Sequence, residues 1–224
     1  MNKLNQFLAA ASISVFAGTA NATVIDFIDL TQNASTGLGE SAWSTLSLSA
    51  DGIGLDITGH ATNDNTGDTQ QYAYLDWGNA GLGVCKDAGT GIRSVDTAYK
   101  GSGTNLCDPS SDDNTTVGEY LDFMFDTDVI VQNFWFNNNH DGGFDLTDMV
   151  TIGGLDFSVA TGYAGGINGI GSFAVAANTA IRVAYKNEEF YVSGMEFSAA
   201  PVSAPATLAL MGLGLLGIAA RRRA

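Results

Sequence analysis

The chain has 224 residues, and its 24 Asp and Glu face only nine Lys and Arg, for a formal net charge of −15 and a pI near 4.1. Such a field disfavours nucleic acid and anionic lipid as partners and leaves cations as the natural ones. The 28 glycines, well above the usual share of about 7%, point to many turns and few long helices.

Met1–Ala22 has the pattern of a secretory signal peptide, with Lys3 first, an apolar stretch from Phe7 to Gly18, and Ala20-Asn21-Ala22 as the small-residue site for a signal peptidase. The mature chain then starts at Thr23. Residues 23–201 hold all 24 acids and five of the nine bases, and their length suits one domain with its own core.

Within that domain, short β-rich runs alternate with Gly, Asn, Asp and Ser. The expected strands are Val24–Leu30, Trp43–Ser49, Ile53–Gly59, Gln71–Trp77, Glu119–Phe125, Val129–Asn137, Met149–Ile152, Leu155–Ala160, Ser172–Ala176, Ala180–Tyr185 and Glu189–Ser198. The period-two pattern is clearest where Leu121, Phe123 and Phe125 alternate with Tyr120, Asp122 and Met124. No stretch between residues 23 and 201 has a helical period with caps. Many short strands and glycine-rich turns predict an all-β, antiparallel, jelly-roll-like β-sandwich.

Cys85 and Cys107 are the two cysteines, both in the exported part, where disulfides persist. We read them as a structural bridge that ties down the Gly-, Ser- and Asp-rich insertion from Cys85 to Gly118. A long insertion of this kind is functional or mobile.

No G-x-S-x-G, H-E-x-x-H or P-loop pattern occurs, and 24 acids give a pairing of carboxylates no evidential force. His60, next to Gly59, reads as a solvent-exposed turn residue. The most patterned stretch is NNNHDGGFDLTD, Asn137–Asp148. Against a twelve-residue calcium loop, Asn137, Asn139 and Asp141 fall at positions 1, 3 and 5, Gly142 at 6, and Asp145 and Asp148 at 9 and 12. Oxygen-only coordination of Ca²⁺ needs that spacing, and an Asn/Asp/Gly hairpin connection would give much the same string. Asp108, Asp112, Asp113 and Asn114, with Glu119 behind them, form a second acidic cluster of no recognisable geometry. The other carboxylates read as a solvated surface. Trp43, Tyr72, Tyr74, Trp77 and Trp135 fit either core positions or a sugar-stacking platform, and their exposure separates the two.

The C-terminal segment, residues 202–224, carries an uncharged run from Ala206 to Ala220 and then Arg221, Arg222 and Arg223. An apolar run ending in arginines is a membrane stop with the arginines on the cytoplasmic side. At 1.5 Å per residue Leu208–Ala220 covers roughly 20 Å, short of the roughly 30 Å hydrocarbon core. A tail of this kind suits a signal that is cut and replaced. Ser203-Ala204-Pro205, the Leu/Gly-rich run and the arginines resemble the PEP-CTERM sorting signal; Ser203 and Ala204 stand where that family has Pro and Glu. The resemblance implies export in a Gram-negative bacterium, a transient inner-membrane anchor, processing by an exosortase-type enzyme, and a place at the cell surface or in an exopolysaccharide-rich matrix. The expected role is non-catalytic. A calcium-dependent carbohydrate-binding module and a polysaccharide-active enzyme are the alternatives.

Overall fold

The computed structural model describes residues 21–33, 38–63, 67–86, 107, 113–138, 140, 142–159, 165–166 and 173–201. In chain order these hold β1 (Thr23–Asp26), α1 (Phe27–Gln32), β2 (Ser41–Trp43), β3 (Leu46–Ala50), β4 (Ile53–Asn63), β5 (Gly67–Asp76), β6 (Gly81–Cys85), β7 (Glu119–Phe125), β8 (Val129–Asn137), β9 (Met149–Ile152), β10 (Leu155–Ser158), β11 (Gly165–Gly166), β12 (Phe173–Val175), β13 (Ala180–Tyr185) and β14 (Tyr191–Ala199). The signal-peptide residues up to 20 and the tail from 202 lie outside the described residues. Among the described residues, no helix is long and apolar enough to cross a membrane.

The expected all-β antiparallel sandwich forms as one curled sheet whose main path runs β10-β9-β13-β7-β4-β5-β6-β14-β8-β11. β5 makes the turn between layers: residues 67–71 pair with β4, whereas Tyr72–Asp76 pair with β6. One layer is therefore β10-β9-β13-β7-β4 with β3 on β4. The other is β5-β6-β14-β8, with β2 on β5, β12 on β8, and β1 laid along β14 so that Thr23 is opposite Phe197.

Alternation drives the assembly. Leu121, Phe123 and Phe125 of β7, Leu55 and Ile57 of β4, and Ile181 and Val183 of β13 turn inward against Val129, Val131, Phe134, Phe136 and Phe197 of the other layer. Phe123 meets Phe134 edge-on at 5.2 Å and Phe125 meets Phe197 at 5.0 Å. Each fully buried phenylalanine contributes about 1.5–3 kcal/mol by leaving water. Val131 and Phe134 break the two-residue period yet both face the core. The register of β8 against β14 shifts between Glu196 and Phe197, and this bulge adds the residue that restores the inward face.

Three expectations need correction. Val24–Leu30 is not one strand: the Asp26 side chain accepts from Asp29 N (2.9 Å) and caps α1, whose Phe27 and Thr31 are buried. Trp43–Ser49 is two strands, because the chain bends at Ser44–Thr45 and sends β2 and β3 to different layers. Gly81–Cys85, absent from the expected strands, is the fully buried strand β6.

Candidate functional site

The outer face of β6, with Tyr74 of β5 and Tyr191 of β14 beside it, is not open to water. Cys85 and Cys107 are bonded, with their Cα atoms 5.7 Å apart, as expected. Farther along, Asp113–Thr115 lies across β6: Val84 N donates to Asn114 O (3.2 Å), and Thr115 and Phe190 exchange backbone hydrogen bonds of 2.7 and 3.2 Å. Gly83 makes this approach possible, since a Cβ there would stand 2.1 Å from Asp113 O. Beneath the segment, Tyr74 donates to Glu40 Oε1 and Tyr191 donates to Asp113 Oδ1, both at 2.5 Å.

Asp76 sits beside these carboxylates at 4% exposure, with His140 Nδ1 3.3 Å from its Oδ2. Burial first, then the charges of Asp113 and Glu40, pushes its carboxyl from 3.8 up to about 8. The same burial, with Asp76 and Asp113, drives the Tyr191 phenol far above its ordinary range and keeps it a donor. Glu40 and Asp76 thus depart from the solvated carboxylates expected, and Asp113 of the second acidic cluster is buried with them. Asp108 and Asp112 of the second acidic cluster lie outside the described residues. Its Glu119 is separate from Asp113, accepting from Thr116 N (2.9 Å) and pairing with Lys86 (2.7 Å).

Of the expected calcium ligands, Asn139 and Asp141 lie outside the described residues. Asn137 ends β8, and its Nδ2 donates to the carbonyls of Asn79 and Ala80, the latter at 2.9 Å. Asp145 and Asp148 come together: Asp148 Oδ2 accepts from Asp145 N (2.5 Å), while Asp145 Oδ1 accepts from Thr147 N and Oγ1 (2.7 and 2.6 Å). Sequence reasoning missed Asn138 and Glu188, which meet at 3.1 Å beside this pair. Nothing local signals a partner fifty residues away.

Tyr74 is wholly buried, which removes it from any stacking platform, whereas Trp43, Tyr72, Trp77 and Trp135 keep partial exposure. Trp135 lies on the outer side of β8, with its ring against Gly194, where a Cβ would meet Cε3 at 3.1 Å. Together with Val24, Asp26 and Ile28 it lines a groove of about 250 Å³. His60 is no turn residue. It belongs to β4, stacks on Tyr120 at 4.8 Å, and shares that ring with the Arg182 guanidinium 3.5 Å from its centre, itself paired with Asp122 through two 2.9 Å bonds.

Residues 201–223, directly after β14, match the family model of the PEP-CTERM protein-sorting motif. The chain carries a PEP-CTERM sorting signal. Ser203, Ala204, Pro205, Arg221, Arg222 and Arg223 fall within the matched span and outside the described residues. A PEP-CTERM motif marks an exported, membrane-transiting protein that an exosortase recognises during export. No curated protein and no solved structure matches the chain.

Proposed function

We propose that this PEP-CTERM protein acts at the cell surface or in the extracellular matrix of a Gram-negative bacterium, in contact with exopolysaccharide, and that its β domain works without catalysis. The sorting motif immediately after β14 carries the reading, because it delivers the whole domain outside. The buried acids fit a structural role. Glu40 and Asp113 take hydroxyl bonds from Tyr74 and Tyr191, and Asp76 lies with them under the Asp113–Thr115 segment. A glycosidase instead needs two carboxylates open to a sugar. The Trp135 groove favours a second reading, a carbohydrate-binding module, because an indole flanked by Asp26 offers a stacking face and a polar group to a pyranose ring.

The test is co-sedimentation of the mature protein with matrix polysaccharide from an exporting host, with and without calcium, alongside Trp135→Ala. Retention of both proteins supports a matrix component that does not use the groove. A tenfold or greater loss for Trp135→Ala supports the sugar-binding reading. Release of new reducing ends by the purified protein overturns the non-catalytic proposal.

A further inference from the structure

Asp26, Gly194 and Trp135 stand in one row across β1, β14 and β8. The missing side chain at Gly194 lets the Trp135 ring rest on the sheet, and the partly exposed indole lines the groove of about 250 Å³. β14 bulges at this point, because its register on β8 shifts between Val192 and Gly194. Val192 and Met195 both face the core, so the bulge sets Ser193 and Gly194 together on the outer side. Ser193 lines the same groove at 5% exposure, and its Oγ is sealed from water with no hydrogen-bond partner. A buried hydroxyl without a partner is penalised. A ligand hydroxyl in the groove would supply that partner after one turn of Ser193 about χ1.

The rim of the groove is acidic. Asp26 is exposed, and its Oδ1 accepts from Asp29 N (2.9 Å). Glu196, two residues beyond Gly194 on the same side of β14, accepts from Asn133 Nδ2 through its Oε2 (2.5 Å). Among the described residues no lysine, arginine or histidine pairs with Asp26, Asp29 or Glu196. A second groove, of about 300 Å³, shares Val24, Ile25 and Asp26 with the first and runs on to Asp29 and Leu48. Asp26 therefore stands where the two grooves meet.

We propose that these grooves bind a polysaccharide of amino sugars whose amino groups are free and charged: one ring stacks on Trp135, its ammonium pairs with Asp26, and a hydroxyl reaches Ser193. The inference rests on the carbohydrate-binding reading of the Trp135 groove and adds the class of sugar. An indole face attracts both the apolar side of a pyranose and, through its quadrupole, an ammonium beside it. Acids with no cation of their own select a cationic repeat and repel uronic acids. The excess of acids over bases in residues 23–201 extends that selection to long range. The first groove has room for a single ring, and the second gives the next ring a place beside Asp29. Two adjoining grooves suit a chain of linked rings better than a lone cationic side chain, which needs one.

The test is isothermal titration of the mature protein with hexamers of glucosamine, of N-acetylglucosamine and of glucuronic acid, and with hexalysine, in mildly acidic buffer where free amines are charged. The glucosamine hexamer should bind about tenfold more tightly than its acetylated counterpart, and the glucuronic acid hexamer should bind least. Trp135→Ala should weaken both hexosamine ligands about tenfold. Asp26→Asn keeps the cap on α1, because Asn caps a helix as well as Asp does. It should bring the glucosamine hexamer down to the level of the acetylated one and leave the latter unchanged. Equal affinity of the parent for the two hexosamine ligands overturns the choice of amino sugar and leaves the carbohydrate-binding reading standing, whereas no binding of either removes both. Hexalysine that binds as tightly as the glucosamine hexamer, or parental affinity for that hexamer in Asp26→Asn, also overturns the proposal.

Discussion

Replacing Asp76 by Asn should make the domain more stable in neutral and mildly alkaline solution and remove much of its pH dependence. The unfolded chain sheds this proton near pH 3.8, whereas the folded chain keeps it until about pH 8. Between those values the native state binds more protons, so stability falls as pH rises. The slope is about 1.4 kcal/mol per pH unit, and across the window it sums to about 6 kcal/mol. Relaxation of the protein around a newly buried charge makes that sum a ceiling. Asn mimics the neutral acid, and its amide can donate to His140 Nδ1 where Asp76 Oδ2 now stands at 3.3 Å. Urea unfolding followed by tryptophan fluorescence at each pH from 5 to 9 gives the two curves. The gap should be smallest at pH 5, at most about 1.6 kcal/mol, and widen toward pH 8, with the variant above the parent. Parallel curves, or a variant that loses ground as pH rises, would refute the burial argument.

Arg221, Arg222 and Arg223 changed together to Gln should impair processing, and intact-mass measurement should find the parent without the run from Leu208 onward; a full apolar tail on surface material counts against cutting. Reducing the Cys85–Cys107 bond, or replacing both cysteines by Ala, should cost about 3 kcal/mol for a sequence separation of 22. Because the bond holds the insertion that covers β6, amide exchange should rise first at Asn114 and Thr115. Exchange that rises first in β7 would contradict this order.

The strands that declare themselves in sequence keep one face wetter over most of their length, although Glu119 and Tyr120 of β7 are buried beside Leu121. β7, β8, β9 and β13 match their expected bounds because alternating residues meet water and core in turn. β6 is hidden for the opposite reason. It is covered on both sides, by the core and by the Asp113–Thr115 segment, so its residues follow no alternation and its glycines imitate a turn. The same cover explains Asp76, Tyr74 and Asp113. Their carboxylates and hydroxyls are typical of a wet surface, and only a segment returning after Cys107 makes that surface an interior. The loop from Asn137 to Asp148 is legible as a place where side-chain oxygens gather. Its partners are not, because Asn187 and Glu188 arrive through tertiary contacts that no local pattern encodes.

Thr23 and Phe197 are neighbours across two paired strands, so the domain's first strand enters and its last strand leaves at the same end of one layer. A domain whose two ends lie close can be held through both flanking segments without straining its fold. Here they lie about 5 Å apart, the ordinary spacing of antiparallel partners. Closure of the sheet therefore does not depend on whether the segments that flank the domain are still attached. The hydrogen bonds that hold β14 to β8, β6 and β1 all lie before Pro201, so a cut anywhere after that residue would leave the last strand with the same partners.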